Sequence, residues 1–181
     1  MNLPTWITFS RLMGIPFIIY LLIEPNNKAR WIAFAIFIIA SCTDWLDGYL
    51  ARKLNQVTEL GKFLDPLVDK LLVLAPLLSL IELQQIPAWG VFIILLRELT
   101  IAGWRINPNL SGNKTIQGAN IWGKLKTLTQ ITAISFLIAP INGIWQDIGL
   151  IIFWLSVILT VISGIIYLVP ISNINQETIE S

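Results

Sequence analysis

Six apolar runs, each about 20 residues long, occupy most of this 181-residue chain. They cover approximately residues 6–24, 31–50, 63–83, 87–104, 126–143 and 148–170, and a helix needs about 20 mostly apolar residues to cross a bilayer. The composition agrees with this interpretation, because 55% of the residues are hydrophobic and only 13% are charged. We therefore predict an all-α, polytopic membrane protein with six transmembrane helices.

The segments between these runs are too short for a soluble domain, so residues 1–181 are predicted to form a single membrane domain. The first run has no basic n-region and no small-residue cleavage site, and Arg11 and Pro16 interrupt it. We expect this run to be retained rather than removed as a signal peptide.

Basic residues are distributed unequally between the two sets of connections. The 51–62 and 105–126 connections carry seven Lys or Arg residues, whereas the connections on the opposite side carry only Lys28 and Arg30. Cytoplasmic loops of membrane proteins are enriched in Lys and Arg. Both basic connections, and with them both chain termini, are therefore predicted to face the cytoplasm.

The chain contains no histidine and a single cysteine, Cys42. Histidine-based acid–base catalysis and histidine metal ligands are therefore excluded, and any bound metal ion must be held mainly by oxygen atoms. Cys42 cannot form an intrachain disulfide bond.

Four aspartates lie near the ends of apolar runs, where carboxylates are costly. In the second predicted helix, Asp44 and Asp47 share one face with the small residues Gly48 and Ala51. Two carboxylates on one face beside small side chains indicate a site that a ligand can approach closely.

The third predicted helix continues this pattern. Gly61, Asp65 and Asp69 are spaced four residues apart, so they lie along one stripe of that helix. A short connection at about 52–60 makes the second and third helices antiparallel neighbours. We therefore expect the four carboxylates to converge at the cytoplasmic boundary of the membrane.

Four carboxylates in one site repel one another unless cations neutralise them. Hard divalent cations bind oxygen ligands, and four aspartates match two Mg²⁺ or Mn²⁺ ions that share bridging carboxylates. Two such ions stabilise the phosphate oxygens and the leaving group in phosphoryl transfer. Gly48 and Ala51 then leave room for a diphosphate, and Arg52 can pair with a phosphate. Alternatively, the aspartates cap helix ends or pair with Lys and Arg at the membrane surface.

Eight residues match the signature D-x-x-D-G-x-x-A-R-x8-G-x-x-x-D-x-x-x-D without a gap or a substitution: Asp44, Asp47, Gly48, Ala51, Arg52, Gly61, Asp65 and Asp69. In this signature the chain resembles the CDP-alcohol phosphotransferase family. Four further stretches resemble the bacterial phosphatidylglycerophosphate synthases of that family: "NLPTWITFSRLMGIPF", "LGKFLDPLVDKLL", "LLRELTIAGWR" and "GKLKTLTQ". This resemblance extends from Asn2 to about Gln130, and the last two runs match only in hydrophobicity.

The resemblance implies a six-helix enzyme of the cell's inner (plasma) membrane, usually homodimeric, with an N-terminal interfacial segment and an active site that opens to the cytoplasm. An acceptor hydroxyl attacks the lipid-proximal phosphorus of CDP-diacylglycerol and expels CMP; for the phosphatidylglycerophosphate synthases the acceptor is sn-glycerol 3-phosphate. No nucleic-acid partner is expected.

The resemblance also implies a role for each residue of the signature. All four aspartates would bind metal, and Asp69 would in addition act as the general base. A carboxylate is also the one plausible base near neutral pH in a chain without histidine. The remaining signature residues would line the CDP pocket: Gly48, Ala51, Arg52 and Gly61.

An anionic acceptor needs cations of its own, and three basic residues lie at the cytoplasmic ends of the fourth and fifth runs: Arg105, Lys124 and Lys126. They are candidates for binding the acceptor phosphate, or else they only determine topology. Arg97 and Glu98 lie deeper in the fourth run and are expected to pair with groups inside the bundle. Lys70, beside Asp69, either forms a structural ion pair or tunes the carboxylate.

Two alternatives to a phosphatidylglycerophosphate synthase remain open. A sister transferase that uses inositol phosphate, serine or phosphatidylglycerol (the last as in cardiolipin synthesis) keeps every signature residue, so only the acceptor site distinguishes it. A divalent-cation transporter is the remote alternative. It would place acidic residues near the middle of the bilayer and on more than two spans, whereas the aspartates here are concentrated on one side.

Overall fold

A computed structural model describes the backbone of residues 3–53, 59–106, 121–141 and 143–177, and the side chains of 6–43, 64–103, 121–141 and 143–166. The described residues form six helices: α1 (Leu3–Ile23), α2 (Asn27–Lys53), α3 (Glu59–Glu82), α4 (Ala88–Ile106), α5 (Ile121–Ile138) and α6 (Ile144–Glu177). No strand occurs among these residues. The predicted all-α class is confirmed. α1 already begins at Leu3, so no separate helix precedes it in the described chain.

The predicted fifth span, 126–143, is wrong at its C-terminal end. Helix α5 stops at Ile138, two residues before Pro140, because proline disfavours helical geometry in the residue before it. Gly143 then adopts a φ of 81°, which L side chains rarely adopt, and α6 begins at the next residue. Hydrophobicity alone did not reveal this break, because the residues on both sides of it are apolar.

Two of the described stretches are long and apolar enough to cross a membrane, namely Trp6–Ile23 in α1 and Ile144–Ile166 in α6. Large apolar side chains point outward from several helices, among them Phe17, Leu128 and Ile151. Such an apolar surface is compatible with contact to lipid chains. The total of six crossings stays a prediction.

Helix α1 is the element against which both signature-bearing helices pack. Among the described residues α1 has extensive contacts with α2 and with α3, whereas α2 and α3 contact each other over a much smaller surface. Ile18 and Leu22 of α1, Phe37 of α2 and Val68 of α3 are fully buried in the common core. Within the described residues, α1 is therefore the main packing partner of both α2 and α3.

The other half of the bundle consists of α4, α5 and α6, and glycines permit its closest contacts. A Cβ atom at Gly90 of α4 would lie 2.8 Å from Phe153 of α6, and one at Gly149 of α6 would lie 3.1 Å from Leu137 of α5. Small residues let membrane helices approach closely. Helix α5 also contacts α2 and α3, and this contact joins the two halves.

The end of α3 is shaped by Gln84, whose φ of 58° is left-handed. The amide of Gln84 donates to Ile81 O (2.9 Å) and that of Gln85 to Leu80 O (2.9 Å), the pattern of a Schellman C-cap. This turn directs the Gln85 side chain towards the C-terminal end of α5.

Arg30, at the start of α2, caps the C-terminal end of α5. Its Nε donates to Ile138 O at 3.2 Å and its Nη2 to Leu137 O at 2.9 Å, and the amide oxygen of Gln85 accepts a further bond from the guanidinium. Carbonyl groups in the last turn of a helix have no partner within the helix, and a cation there also interacts favourably with the helix dipole. Arg30, predicted only as a charge in an external connection, therefore joins α2, α5 and the α3–α4 turn.

Replacing Arg30 with methionine should destabilise the protein by about 2 kcal/mol, because carbonyl groups at the end of α5 lose a charged donor. Thermal unfolding in detergent measures this loss. Lys28→Met is the matched control, since Lys28 is an exposed cation in the same turn of chain. Equal unfolding temperatures for the two variants would show that the Arg30 contacts contribute no stability.

Candidate functional site

The four signature aspartates lie on both sides of one short connection. Helix α2 contains Asp44 and Asp47 and ends at Lys53, and α3 begins at Glu59 and contains Asp65 and Asp69. With a rise of about 1.5 Å per residue, all four backbone positions lie within about 15 Å of the ends of their helices. The prediction that both pairs occur near the same end of the bundle is consistent with these helix boundaries.

Only part of this predicted site falls within the described side chains. Asp65 is exposed and Asp69 is half-buried. Among the described side chains no group of three or more His, Cys, Asp or Glu residues is placed to hold a metal ion. Lys124 and Lys126 are also described, whereas seven predicted site residues have side chains outside the described set: Asp44, Asp47, Gly48, Ala51, Arg52, Gly61 and Arg105.

Thr8 of α1 contacts the signature directly. Its Oγ1 donates a hydrogen bond to Asp65 Oδ1 at 2.7 Å, and the threonine itself is only 1% exposed. A carboxylate that accepts this bond with one oxygen keeps its other oxygen for a cation, in a fixed orientation. Thr8 therefore fixes the orientation of Asp65, a contact that the sequence did not predict.

A signal for α1 was nevertheless present in the sequence. Arg11, three residues after Thr8 and on the same helix face, interrupts an apolar run, and its side chain is 4% exposed in the structure. An ionisable residue inside an apolar span is functional by default. In the sequence, Arg11 had indicated only that the first run is not a signal peptide.

A second polar cluster joins α3, α4 and α5. Glu98 of α4 accepts a hydrogen bond from Lys126 Nζ, lies 3.0 Å from Arg97 Nη1, and lies 3.9 Å from Lys70 Nζ of α3. The expectation that Arg97 and Glu98 pair inside the bundle is confirmed. Lys70 forms the ion pair that was one of its two predicted roles.

The structure separates the cations that were predicted to bind the acceptor. Lys126 is 5% exposed and lies on the buried face of α5, which continues through Gln130 to Ile134. Lys124 is exposed, since residues two apart on a helix do not face the same way. Lys126 thus belongs to the Glu98 cluster, and Lys124 does not.

Helix α6 contributes space and polar groups beside this cluster. A Cβ at Gly164 would lie 3.2 Å from Arg97 Cγ, so the glycine makes room for the arginine stem. One turn beyond Lys126, Gln130 Nε2 donates to Thr160 Oγ1 at 3.3 Å, and both residues are buried. The cluster therefore continues into a hydrogen-bonded polar contact between α5 and α6.

The family model for CDP-alcohol phosphatidyltransferases matches residues 1–162. This chain belongs to that family. The match extends beyond Gln130, where the resemblance seen in the sequence motifs ended, and includes most of the last two helices. Together with the two long apolar helices, membership identifies a CDP-alcohol phosphatidyltransferase that is a membrane protein.

Individual relatives are similar over nearly the whole chain. A Bacillus subtilis protein named CDP-diacylglycerol–glycerol-3-phosphate 3-phosphatidyltransferase is 42% identical over 178 residues, which are 90% of this chain and 91% of that protein. A Rickettsia typhi protein of the same name is 40% identical over 170 residues, or 92% of this chain and 94% of its own length. A Mycobacterium tuberculosis protein named probable phosphatidylglycerophosphate synthase is 35% identical over 169 residues, or 92% of this chain and 79% of its own length.

If Asp65 binds a divalent ion, as the signature predicts, Thr8→Val should weaken that binding about 10- to 100-fold, the usual effect of losing a partner that orients a metal ligand. Thr8→Ser, which keeps the hydroxyl, should bind as the unmodified protein does. Titration with Mn²⁺, followed by the paramagnetic resonance signal of the free ion, measures both affinities.

Ser10→Ala is the matched control on α1, because Ser10 is exposed and its hydroxyl donates to Ile7 O rather than to the signature. Equal Mn²⁺ affinity in Thr8→Val and Ser10→Ala would contradict the positioning role of Thr8.

Proposed function

We propose that this CDP-alcohol phosphatidyltransferase transfers the phosphatidyl group from CDP-diacylglycerol to sn-glycerol 3-phosphate, which yields phosphatidylglycerophosphate and CMP. The observation that carries the proposal is the group of relatives named for this reaction, at 40–42% identity and with matches that span 90–92% of this chain. The cationic cluster around Glu98 supports an acceptor that bears a phosphate group, as glycerol 3-phosphate does.

In the proposed reaction the acceptor hydroxyl oxygen forms a bond to the lipid-proximal phosphorus of CDP-diacylglycerol. The bond between that phosphorus and the bridging oxygen breaks, and CMP leaves with that oxygen. Asp69 accepts the hydroxyl proton, because the chain has no histidine and a carboxylate near the acceptor can act as base at neutral pH.

The aspartates of the signature are proposed to hold two Mg²⁺ or Mn²⁺ ions through Asp44, Asp47, Asp65 and Asp69. Their donor atoms are all carboxylate oxygens, which suit hard divalent cations. The Thr8 bond, which orients one oxygen of Asp65, fits a metal ligand. When bound, the ions neutralise the diphosphate and stabilise the departing CMP.

The two substrates are proposed to occupy different sides of this centre. The CDP group lies against Gly48, Ala51, Arg52 and Gly61, where small residues leave clearance and an arginine pairs with the diphosphate. The acceptor phosphate is bound by Lys126 together with Arg105, two of the three cations that the sequence suggested; the third, Lys124, is exposed on another face of α5. Arg97 and Lys70 add positive charge beside Lys126.

The proposed setting is the cell's inner (plasma) membrane, with the active site facing the cytoplasm. The unequal distribution of Lys and Arg between the connections supports this orientation. A homodimer is proposed from the family resemblance.

A panel of acceptors tests the proposal. Purified protein with CDP-diacylglycerol should release CMP and form a new lipid with sn-glycerol 3-phosphate, but not with inositol phosphate, serine or phosphatidylglycerol. Product with another acceptor would identify a sister transferase.

Excess EDTA should abolish the reaction, and Mg²⁺ or Mn²⁺ should restore it; full activity in EDTA would contradict the metal site. Mn²⁺ uptake into vesicles without CMP release from any acceptor would favour a transporter.

The proposed acceptor site leads to a separate prediction about the KM values of variants. Lys126→Ala should raise the KM for glycerol 3-phosphate about ten- to hundredfold, the equivalent of losing a charged contact of roughly 1.5–3 kcal/mol. The KM for CDP-diacylglycerol should change little. Arg52→Ala should show the opposite pattern, because its partner is the CDP diphosphate. A glycerol 3-phosphate KM within about twofold of the unmodified enzyme in Lys126→Ala, Lys124→Ala and Arg105→Ala would exclude all three as phosphate ligands.

A further inference from the structure

The basic side chains around Glu98 carry more positive charge than its carboxylate can neutralise. In the described part of the chain, one carboxylate is shared by Lys70, Arg97 and Lys126, which come from α3, α4 and α5. The formal sum of these four side chains is two positive charges. A salt bridge that served only to join two helices would need one cation, so the arrangement indicates a further anion.

The arrangement of the cations also indicates a ligand site rather than a closed pair. Lys126 and Arg97 are largely withdrawn from solvent, whereas the Lys70 side chain is 36% exposed and approaches Glu98 only to 3.9 Å. A loosely held lysine can turn to an incoming anion while the carboxylate keeps the other two cations in place. A phosphate monoester carries between about −1.5 and −2 charges near neutral pH, which matches the surplus.

We propose that Glu98 is a positioning residue for the acceptor phosphate: it holds Lys126 and Arg97 together, and a phosphate monoester binds to them and to Lys70. This inference rests on the proposed function and deepens it. It adds Glu98 to the acceptor site, as a residue that contacts neither the attacking hydroxyl nor the phosphorus. Glu98 contributes by keeping long basic side chains from three helices in one arrangement before the acceptor arrives.

The position of the cluster suits this role. Lys70 directly follows Asp69, the proposed base, so the cluster adjoins the reacting centre along α3. In glycerol 3-phosphate the phosphate and the attacking hydroxyl occupy opposite ends of a three-carbon chain. A phosphate bound at the cluster therefore leaves the hydroxyl free to approach Asp69.

Glu98→Gln tests the proposal because it keeps the shape of the side chain and removes its charge. The KM for glycerol 3-phosphate should rise at least tenfold, while the KM for CDP-diacylglycerol stays within about twofold. Glu98→Asp, which keeps the charge on a shorter side chain, should recover part of the loss. Glu82→Gln is the matched control, since Glu82 is an exposed glutamate at the far end of α3.

Direct binding gives a readout that does not depend on turnover. The unmodified enzyme should unfold at a higher temperature in millimolar glycerol 3-phosphate than in glycerol, because a ligand that binds the folded state stabilises it. Glu98→Gln should lose this difference, and Glu82→Gln should keep it.

If Glu98→Gln folds poorly, a double variant tests the proposal. Removal of one partner of a buried ion pair is costly, whereas removal of both is much less so. Glu98→Gln with Lys126→Gln should therefore unfold near the temperature of the unmodified enzyme and still not respond to glycerol 3-phosphate. A double variant with unchanged glycerol 3-phosphate KM and thermal response would overturn the proposal.

The outcomes separate this inference from the proposed function. An enzyme that uses glycerol 3-phosphate, but whose two KM values rise equally in Glu98→Gln, would keep the proposed function and overturn the positioning role. An enzyme that uses inositol phosphate would overturn the proposed acceptor. A KM for inositol phosphate that rises at least tenfold in Glu98→Gln would then support the positioning role of Glu98, and an unchanged KM would overturn it. An enzyme specific for serine, which has no phosphate, would overturn both.

Discussion

A charged or hydrogen-bonding group inside an apolar helix bundle needs a polar partner, and the polar contacts of this protein follow from that requirement. Glu98 is surrounded by cations from three helices, and Arg30 caps the carbonyl groups at the end of α5. Asp65 accepts a bond from Thr8 of α1. Apart from the pair of adjacent residues Arg97 and Glu98, each contact joins residues that are distant in sequence, so each selects one arrangement of helices.

This selection matters because apolar packing between membrane helices has little directional preference when the surrounding lipid is equally apolar. Close approach then depends on small residues, such as Gly90 and Gly149, and the relative position of the helices depends on polar contacts. Arg30 lies at one end of the bundle, and the Glu98 cluster lies deeper, in the same part of α3 as Asp69. The polar residues that hold the helices together also arrange the proposed site.

The role of α1 shows how a scaffold element becomes part of a site. Because α1 packs against both α2 and α3, it is the helix that can orient carboxylates carried by its neighbours, and Thr8 does so for Asp65. The residues proposed to carry the chemistry come from the signature, whose spacing on α2 and α3 depends only on helical periodicity. It contained no information about α1, because contacts between distant segments leave no periodic pattern in the sequence.

The sequence by itself determined the all-α class, the approximate limits of most helices and the residues of the signature, because hydrophobic length and helical spacing are local properties of the chain. The predicted C-terminal end of α5 was wrong because the apolar run continues through Pro140, whereas the helix ends before this proline. Only the tertiary structure decided that Lys126 is buried against Glu98 while Lys124 is exposed, and that Arg30 caps a helix more than 100 residues later in the chain. In the sequence, Lys124 and Lys126 were equivalent candidates, and Arg30 was only a charge in an external connection. Their roles differ because the neighbouring helices determine which carboxylate or carbonyl group each cation can reach.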